Sequence, residues 1–308
     1  MFHTNVKISV VLSSFNGAQF IEDQINSIIE QSITPDEIIV CDDGSKDGTI
    51  EILKKIESQN KIKLYLNPNN LGVTANFKKA VSIANSTNYI AFCDQDDIWL
   101  PDKLSSNLNT MVKLEADQNA QKLPFLVYSD LKFINHNGLE LHPSFYNLMG
   151  LDKFEHCFDT ALFGSLLLGC TIFINPVMRA NFLEMPDSKV YYHDAWLSLL
   201  GFGIGKVSFI KQPLVNYRLH SNNVSMPNFK EKNRFVNFIK HIINLPFKSK
   251  YLNNEIILAE TFAREYTNQL SSEKQLLLTN FISLKNKRHF QKKWAFEKAF
   301  KNKWIKRF

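Results

Sequence analysis

One apolar run ends abruptly in carboxylates, Ile90-Ala91-Phe92-Cys93-Asp94-Gln95-Asp96-Asp97, and it constrains this chain more than any other stretch. Continuous apolar runs mark strands buried on both faces of a parallel sheet, and ligands gather at the carboxyl ends of such strands. Three acidic side chains within four residues repel one another unless a cation sits among them. An Asp-x-Asp at a strand end suits Mg2+ or Mn2+, hard ions that take one or two protein carboxylates together with substrate phosphates. The competing reading is a solvated acidic turn ahead of a helix that starts near Asp102.

Two earlier segments have the same layout. Lys7 to Ser13 reads as a buried strand running into Ser13-Ser14-Phe15-Asn16, and Glu37 to Cys41 as another running into Asp42-Asp43-Gly44-Ser45. Between them Phe20, Ile21, Ile25, Ile28 and Ile29 recur at helical spacing. Ile50, Leu53 and Ile56 mark a second amphipathic helix with Asp47 as its cap, Ile62 to Leu66 a third strand, and Phe77, Ala80, Val81 and Ala84 a further helix. Strands alternating with helices imply right-handed βαβ units and a parallel sheet. Its carboxyl ends would bring the three polar segments to one crevice, a set suited to a base edge, a ribose and a pyrophosphate. No Gly-x-Gly-x-x-Gly follows the first strand and no Walker motif is present. A pyrophosphate here would need a cation, which the Asp94/Asp96 pair can hold.

The second half alternates less regularly. Asp102 to Glu115 reads as a helix, Phe125 to Ile134 as a strand, and Asn137-Gly138 as a turn. Thr160 to Ile174 carries a short helix into a Cys170 to Ile174 strand; His193 to Leu200 reads as a helix, and Val207 to Ile210 and Leu214 to Tyr217 as two short strands. This suits a mixed sheet with an inserted acceptor region.

Of the 308 residues, 44% are hydrophobic, ordinary for a chain that buries a full core. The four cysteines lack any Cys-x-x-Cys spacing, which argues against zinc or a disulfide framework and suits a reducing compartment. Cys41 and Cys93 read as small core residues. No secretory signal is evident at Met1 to Asn5, and the longest apolar stretch, Leu162 to Ile174, is too short to span a bilayer. Charge is uneven: residues from Phe229 onward carry 18 Lys+Arg against 6 Asp+Glu, whereas the first 228 carry 18 against 24. The expected organisation is therefore a mildly acidic domain over 1–228 and a helical basic region over 229–308. From Lys285 to Phe308 ten basic residues face only Glu297, with Phe290, Trp294, Phe296, Phe300, Trp304, Ile305 and Phe308 interleaved. Basic residues with an aromatic face fit an anionic membrane surface, ahead of nucleic acid, which is not expected as a partner. The other reading is a helix packed on the body.

Taken together, Val10-Val11-Leu12-Ser13-Ser14-Phe15-Asn16-Gly17, Ile38 to Ser45, Asn70-Leu71-Gly72-Val73, Asp94-Gln95-Asp96-Asp97-Ile98-Trp99, His193-Asp194-Ala195-Trp196 and Tyr217 to Asn223 resemble a family 2 glycosyltransferase of the GT-A type. The closest flavour is the non-processive, rhamnosyltransferase-like kind that builds bacterial O-antigen or capsule. The resemblance implies a nucleotide-diphospho-sugar transferase fold, a mostly parallel sheet flanked by helices, and an inverting, metal-dependent enzyme. Its donor would be a UDP- or dTDP-sugar such as dTDP-rhamnose, and its acceptor a lipid-linked saccharide. The protein would be cytoplasmic and peripheral on the inner face of the cytoplasmic membrane. Ser13, Phe15, Asn16, Asp42, Asp43, Asn76, Asp94 and Arg218 would hold the nucleotide. Asp96, with Asp94 and His220, would hold Mn2+ or Mg2+. Asp194 matches the catalytic base, and Trp196 and His193 the acceptor side; the common pattern has Glu-Asp where this chain has His193-Asp194. The Gln-x-x-Arg-Trp of processive synthases is absent, so one sugar per encounter is expected. A sugar nucleotidyltransferase would need a basic Gly-rich phosphate loop that is missing, a glycosidase needs no nucleotide crevice, and an inactive membrane-associated scaffold of the same fold is the non-enzymatic rival.

Overall fold

The computed structural model describes residues 6–116, 123–187, 192–220, 223 and 252–301. Strands β1 (Ile8–Ser14), β2 (Glu37–Asp42), β3 (Lys63–Leu66) and β4 (Tyr89–Cys93) run parallel in the order β3-β2-β1-β4. Helices α1 (Ile21–Ile29), α2 (Thr49–Glu57) and α3 (Val73–Ile83) connect them, as the alternating pattern requires. Val10, Val11 and Leu12 are fully buried, and so are Ile21, Ile25 and Ile28 on the inner side of α1. Burial of that apolar surface is what holds each βαβ unit closed.

Beyond β4 come β5 (Ile98–Trp99), α4 (Lys103–Glu115), β6 (Phe125–Ile134), β7 (Glu140–His142), α5 (Phe145–Met149), α6 (Phe158–Ala161), β8 (Phe173–Ile174), α7 (Pro176–Leu183), α8 (His193–Ile204) and β9 (Lys206–Arg218). β8 lies antiparallel between β4 and β6, β9 runs parallel to β6, and β5 pairs antiparallel with β9. The first half of the sheet is thus parallel and the second half mixed. Gly138, at φ 82°, turns the β6–β7 hairpin, matching the Asn-Gly signal.

Three elements differ from their sequence reading. The two strands expected over Val207–Ile210 and Leu214–Tyr217 are one, β9, which bulges where the pairing steps from Ile210 opposite Ser129 to Pro213 opposite Asp130. Proline has no ladder donor, and a bulge is where a strand tolerates it. The expected Cys170–Ile174 strand shrinks to two residues because Gly169–Thr171 forms a 3-10 turn. β5 is a strand inside what reads as punctuation.

The expected boundary near 229 lies outside the described residues. After it, α9 (Asn253–Tyr266) and α10 (Ser272–Ile282) join the same core as the sheet, and α11 (His289–Lys301) follows. Phe262 of α9 is fully buried, its ring 5.9 Å from Trp196 on α8 and 6.1 Å from Phe158 on α6. Gly203 permits this approach, since a Cβ there would stand 2.9 Å from the Phe262 ring. α11 packs Phe296 and Phe300 against Phe163 while Phe290 and Trp294 face outward, each 63% exposed.

Phe262→Ala should destabilise the whole protein by about 3–5 kcal/mol. Urea titration should show a lower midpoint in a single transition of unchanged slope; two separate transitions would mean that the C-terminal helices fold apart from the sheet.

Candidate active site

The parallel register sets the level of the site. Leu12 pairs with Cys93 and Ser14 with Asp42, so the chain leaves β1, β2 and β4 at one height. A cavity of about 590 Å³ opens there. Of the thirteen residues named from sequence, nine line it: Ser13, Phe15, Asn16, Asp43, Asp94, Asp96, His193, Asp194 and His220. Asp42, Asn76, Arg218 and Trp196 do not.

At one end Phe15 stands on the rim, 45% exposed, so its ring is not part of the core. Its backbone is clasped twice by Gln95, whose Oε1 accepts from Phe15 N–H at 2.8 Å and whose amide donates to Phe15 O at 3.0 Å. The rim therefore moves with the acidic loop. A Cβ at Gly17 would overlap Gln95 Oε1, so any larger residue there would push Gln95 out of this clasp. Asn16, at φ 50°, accepts from Lys46 N–H through its side chain, a left-handed position that asparagine tolerates. Asp43 Oδ1 accepts from Asn67 and Leu71 N–H, and Oδ2 from Gly72 N–H at 2.8 Å, which leaves Oδ2 capacity toward the cleft.

Asp42 and Asn76 work behind this wall. All four acceptor positions of Asp42 are taken, by Gly44 N–H, Ser45 N–H and the Ser14 and Ser45 hydroxyls. It closes the turn and has nothing left for a nucleotide. Asn76 is fully buried and donates to Ser13 Oγ and Cys41 O, so it aims Ser13 rather than touching the cleft.

In the middle stand the carboxylates of the acidic loop. Asp94 is half-buried, accepts no hydrogen bond from the described residues, and is pushed up to about 7 by burial and then by the charges of Asp96 and Asp194. Asp96 Oδ2 is 2.8 Å from His220 Nε2. The oxygen-rich set of Asp94 and Asp96, destabilised without positive charge, fits a hard divalent ion. A tighter cluster, Asp94, Asp97 and Cys170, also has ligand atoms within 4.8 Å of one another. It suits such an ion less: Cys170 is a soft, buried thiol pushed well above its ordinary value by burial, and one Asp97 oxygen is taken by Arg218 N–H.

Arg218 does not face the cleft. It is 3% exposed, and its guanidinium donates to Asp96 O, His136 O and Asp23 while lying 4.7 Å over the Phe20 ring. Those contacts use its fork to brace the acidic loop, which corrects the expectation of a nucleotide contact.

At the far end Asp194 occupies the first turn of α8, where its Oδ1 accepts from Ala195 N–H at 2.7 Å. Burial pushes it up to about 6, against the downward pull of the backbone N–H groups. His193 lies on the cavity floor. Trp196 is fully buried against Phe262 and Tyr266, one turn further along the helix and on its core side, so it is not an acceptor wall. Tyr192, 49% exposed, takes the place on the cleft lip expected of Trp196. Sequence reading passed over Tyr192 and Gln95; an aromatic beside His-Asp and an amide inside the Asp cluster were the available signals. Nothing at Phe20 foretold its stack beneath Arg218.

Comparison with known proteins agrees with this geometry. The sequence profile described as glycosyl transferase family 2 matches residues 9–163. TuaG of Bacillus subtilis, named for teichuronic acid biosynthesis, is 30% identical over 230 residues, covering 72% of this chain and 83% of TuaG. WfgD of Escherichia coli, a UDP-Glc:alpha-D-GlcNAc-diphosphoundecaprenol beta-1,3-glucosyltransferase, is 28% identical, covering 85% of this chain and 97% of its own length. Among solved structures, Staphylococcus aureus TarS 1-349 with UDP-GlcNAc superposes with TM-score 0.56 at 15% identity, covering 96% of this chain and 89% of TarS. The mannosyltransferase PcManGT of Pyrobaculum calidifontis, in complex with GDP-Man and Mn2+, gives 0.52 at 16% identity, covering 96% and 85%. The fold is of the GT-A type. With a crevice at the carboxyl ends of β1, β2 and β4 and a matching profile over half its length, the chain belongs to glycosyltransferase family 2.

Proposed function

We propose that the enzyme moves one sugar, with inversion, from a UDP- or dTDP-activated donor to a lipid-linked saccharide during synthesis of a bacterial cell-surface polysaccharide. The observation that carries this reading is the opening of Asp94, Asp96 and Asp194 onto one cleft. The printed activities of WfgD and its relative WfaP, both glucosyltransferases acting on a diphosphoundecaprenol-linked sugar, support the acceptor class and make UDP-glucose the first donor to test. dTDP-rhamnose is the second, from the rhamnosyltransferase-like motifs.

In this reading Phe15 offers a ring to the base, and Ser13 and the free capacity of Asp43 meet its polar edge. Asp94 and Asp96 would hold Mn2+ or Mg2+, as the Mn2+-bound PcManGT complex supports, and that ion would neutralise the departing diphosphate. Asp194 accepts the proton of the acceptor hydroxyl as its oxygen bonds to the anomeric carbon, while the carbon–oxygen bond to the diphosphate breaks on the opposite side. His220 keeps Asp96 oriented, and Tyr192 offers the acceptor an aromatic lip.

Asp96→Asn should lower UDP affinity in Mn2+ but not in EDTA, measured by calorimetry; equal losses in both would remove the metal assignment. Asp194→Asn should bind UDP normally and lose about 10²–10⁴ in kcat, and transfer at the wild-type rate would move the base elsewhere. Burial raises Asp194 to about 6, so the proton-accepting form is lost as pH falls through that value. The wild-type kcat profile should show an acid limb near pH 6 of about tenfold per unit, absent from whatever rate the Asn variant retains.

No helix among the described residues is long and apolar enough to cross a membrane. For the lipid-linked acceptor we propose peripheral docking on the anionic inner face of the cytoplasmic membrane through α11. Phe290 and Trp294 project outward, Lys287, Arg288 and Lys298 are exposed beside them, and Lys298 Nζ lies 5.3 Å over the Trp294 ring. Rings at the interface with Lys and Arg on anionic headgroups give such a face its affinity. The full chain should sediment with phosphatidylglycerol vesicles and not with phosphatidylcholine. Phe290→Ala/Trp294→Ala should cut that binding at least tenfold; unchanged sedimentation would reject the docking face.

A further inference from the structure

A chain of polar side chains runs from α3 to the Ser13–Asp43 end of the cleft, and each link fixes the direction of the next. Lys79 Nζ donates to Asn67 Oδ1 at 2.6 Å. An ammonium can only donate, so it holds the Asn67 amide with its oxygen toward Lys79. Both amide hydrogens then point the other way, to Asp43 Oδ1 at 2.7 Å and Asn76 Oδ1 at 2.8 Å. With its oxygen taken, Asn76 turns its own two hydrogens to Ser13 Oγ and Cys41 O, both at 2.7 Å. Asn67 and Asn76 are buried, so bulk water cannot stand in for a missing partner. Turning the Asn67 amide over would set like group against like at all three of its contacts. One cation outside the cleft therefore fixes the sense of every bond in the relay.

The two ends of the relay, Ser13 and Asp43, line the cavity, whereas Lys79 and Asn67 do not. Ser13 Oγ already accepts from Asn76, which leaves its own O–H to turn toward a ligand. Asp43 has Oδ1 filled by Asn67 and by Leu71 N–H and offers the remaining lone pair of Oδ2. This wall thus presents one donor and one acceptor, the complement of a ring that carries C=O beside N–H. Uracil and thymine have that pair. Cytosine has a lone pair at the same ring nitrogen, and it would meet the Asp43 carboxylate. We propose that Lys79 and Asn67 are positioning residues that never touch the donor, yet set the hydrogen-bond polarity of the base end and so make it refuse cytosine. The inference rests on the nucleotide-sugar reading above and deepens it.

The test titrates UDP and CDP into the full chain with Mn2+ by calorimetry, or dTDP and dCDP if that pair binds more tightly. Removing a positive charge weakens every anionic ligand alike, so the affinity ratio within the pair is the readout, not the affinity itself. Wild type should favour UDP over CDP by about 10- to 100-fold. Lys79→Arg, which also only donates, should keep that ratio within about threefold. Lys79→Glu can only accept, turns the Asn67 amide over, and should lower the ratio about tenfold, with Lys79→Met falling between. Asn67→Ala should lower it as far as Lys79→Glu. Lys79 is only partly buried, so its variants decide the matter if Asn67→Ala folds poorly. A wild type that binds both members of a pair equally, or a ratio that Lys79→Glu leaves unchanged whatever its melting temperature, overturns the inference while leaving the enzyme a glycosyltransferase. A wild type that binds none of these nucleotides overturns the donor reading, and this inference with it.

Discussion

Parallel strands that begin at one edge of a sheet must end at the other, and everything at this site follows from that. The β2-β1-β4 pairing brings Asp43, Ser13 and Asp94 to one level although they are far apart along the chain. Asp43 N–H donates to Ser14 O at 2.8 Å, extending the ladder into the first residues of the loops. The Ser13–Asp43 end of the cleft is therefore as rigid as the sheet itself. The opposing lip, from α8, lies across it, fixed by helix packing rather than by strand register.

Such convergence concentrates negative charge in a place poor in water. Asp94, Asp97 and Asp194 are all pushed upward, burial first and neighbouring carboxylates after it for the two in the loop. The protein balances this from behind and not from within the cleft. Arg218 braces the loop twice, its guanidinium donating to Asp96 O and its backbone N–H to the Asp97 carboxylate. Lys103, fully buried with its Nζ 4.4 Å over the Trp99 ring, is lowered to about 8 by that burial. Both cations support the loop without neutralising the face that Asp94 presents. That face stays available for a positive ion, as the proposed function requires.

Local patterning carried most of the first half. β1, β2, β4 and β6 fall within a residue or two of their apolar runs, and the strand-end clusters do meet, because periodicity of two and of 3.6 is a local property. Whether a polar side chain faces the cleft or the turn behind it is not local. Asp42 and Asp43 are neighbours of identical chemistry, and only the Ser14 and Ser45 hydroxyls waiting on one side decide that Asp42 closes the turn. Arg218 could be assigned to a phosphate only while its partners, Phe20 and the carbonyls of Asp96 and His136, were unknown. Trp196 was misassigned for a related reason: its neighbours, Phe262 and Tyr266, both come from α9, far later in the sequence. The single strand β9 escaped because a proline bulge breaks the alternation that marks a strand.

The interleaving of β8 between β4 and β6 carries a consequence for how this enzyme can be divided. The stretch that defines the family stops at residue 163, before β8, α8 and β9 have been reached. Severed there, β4 and β6 would each present an unpaired edge to one another with no strand to bridge them, and Asp194 would be gone from the cleft. The stretch matched by the family profile is thus smaller than the unit that can close its own sheet. Chimaeras that exchange acceptor-side segments between relatives will hold together only when the swapped piece begins before β8 and carries its own bridging strand with it.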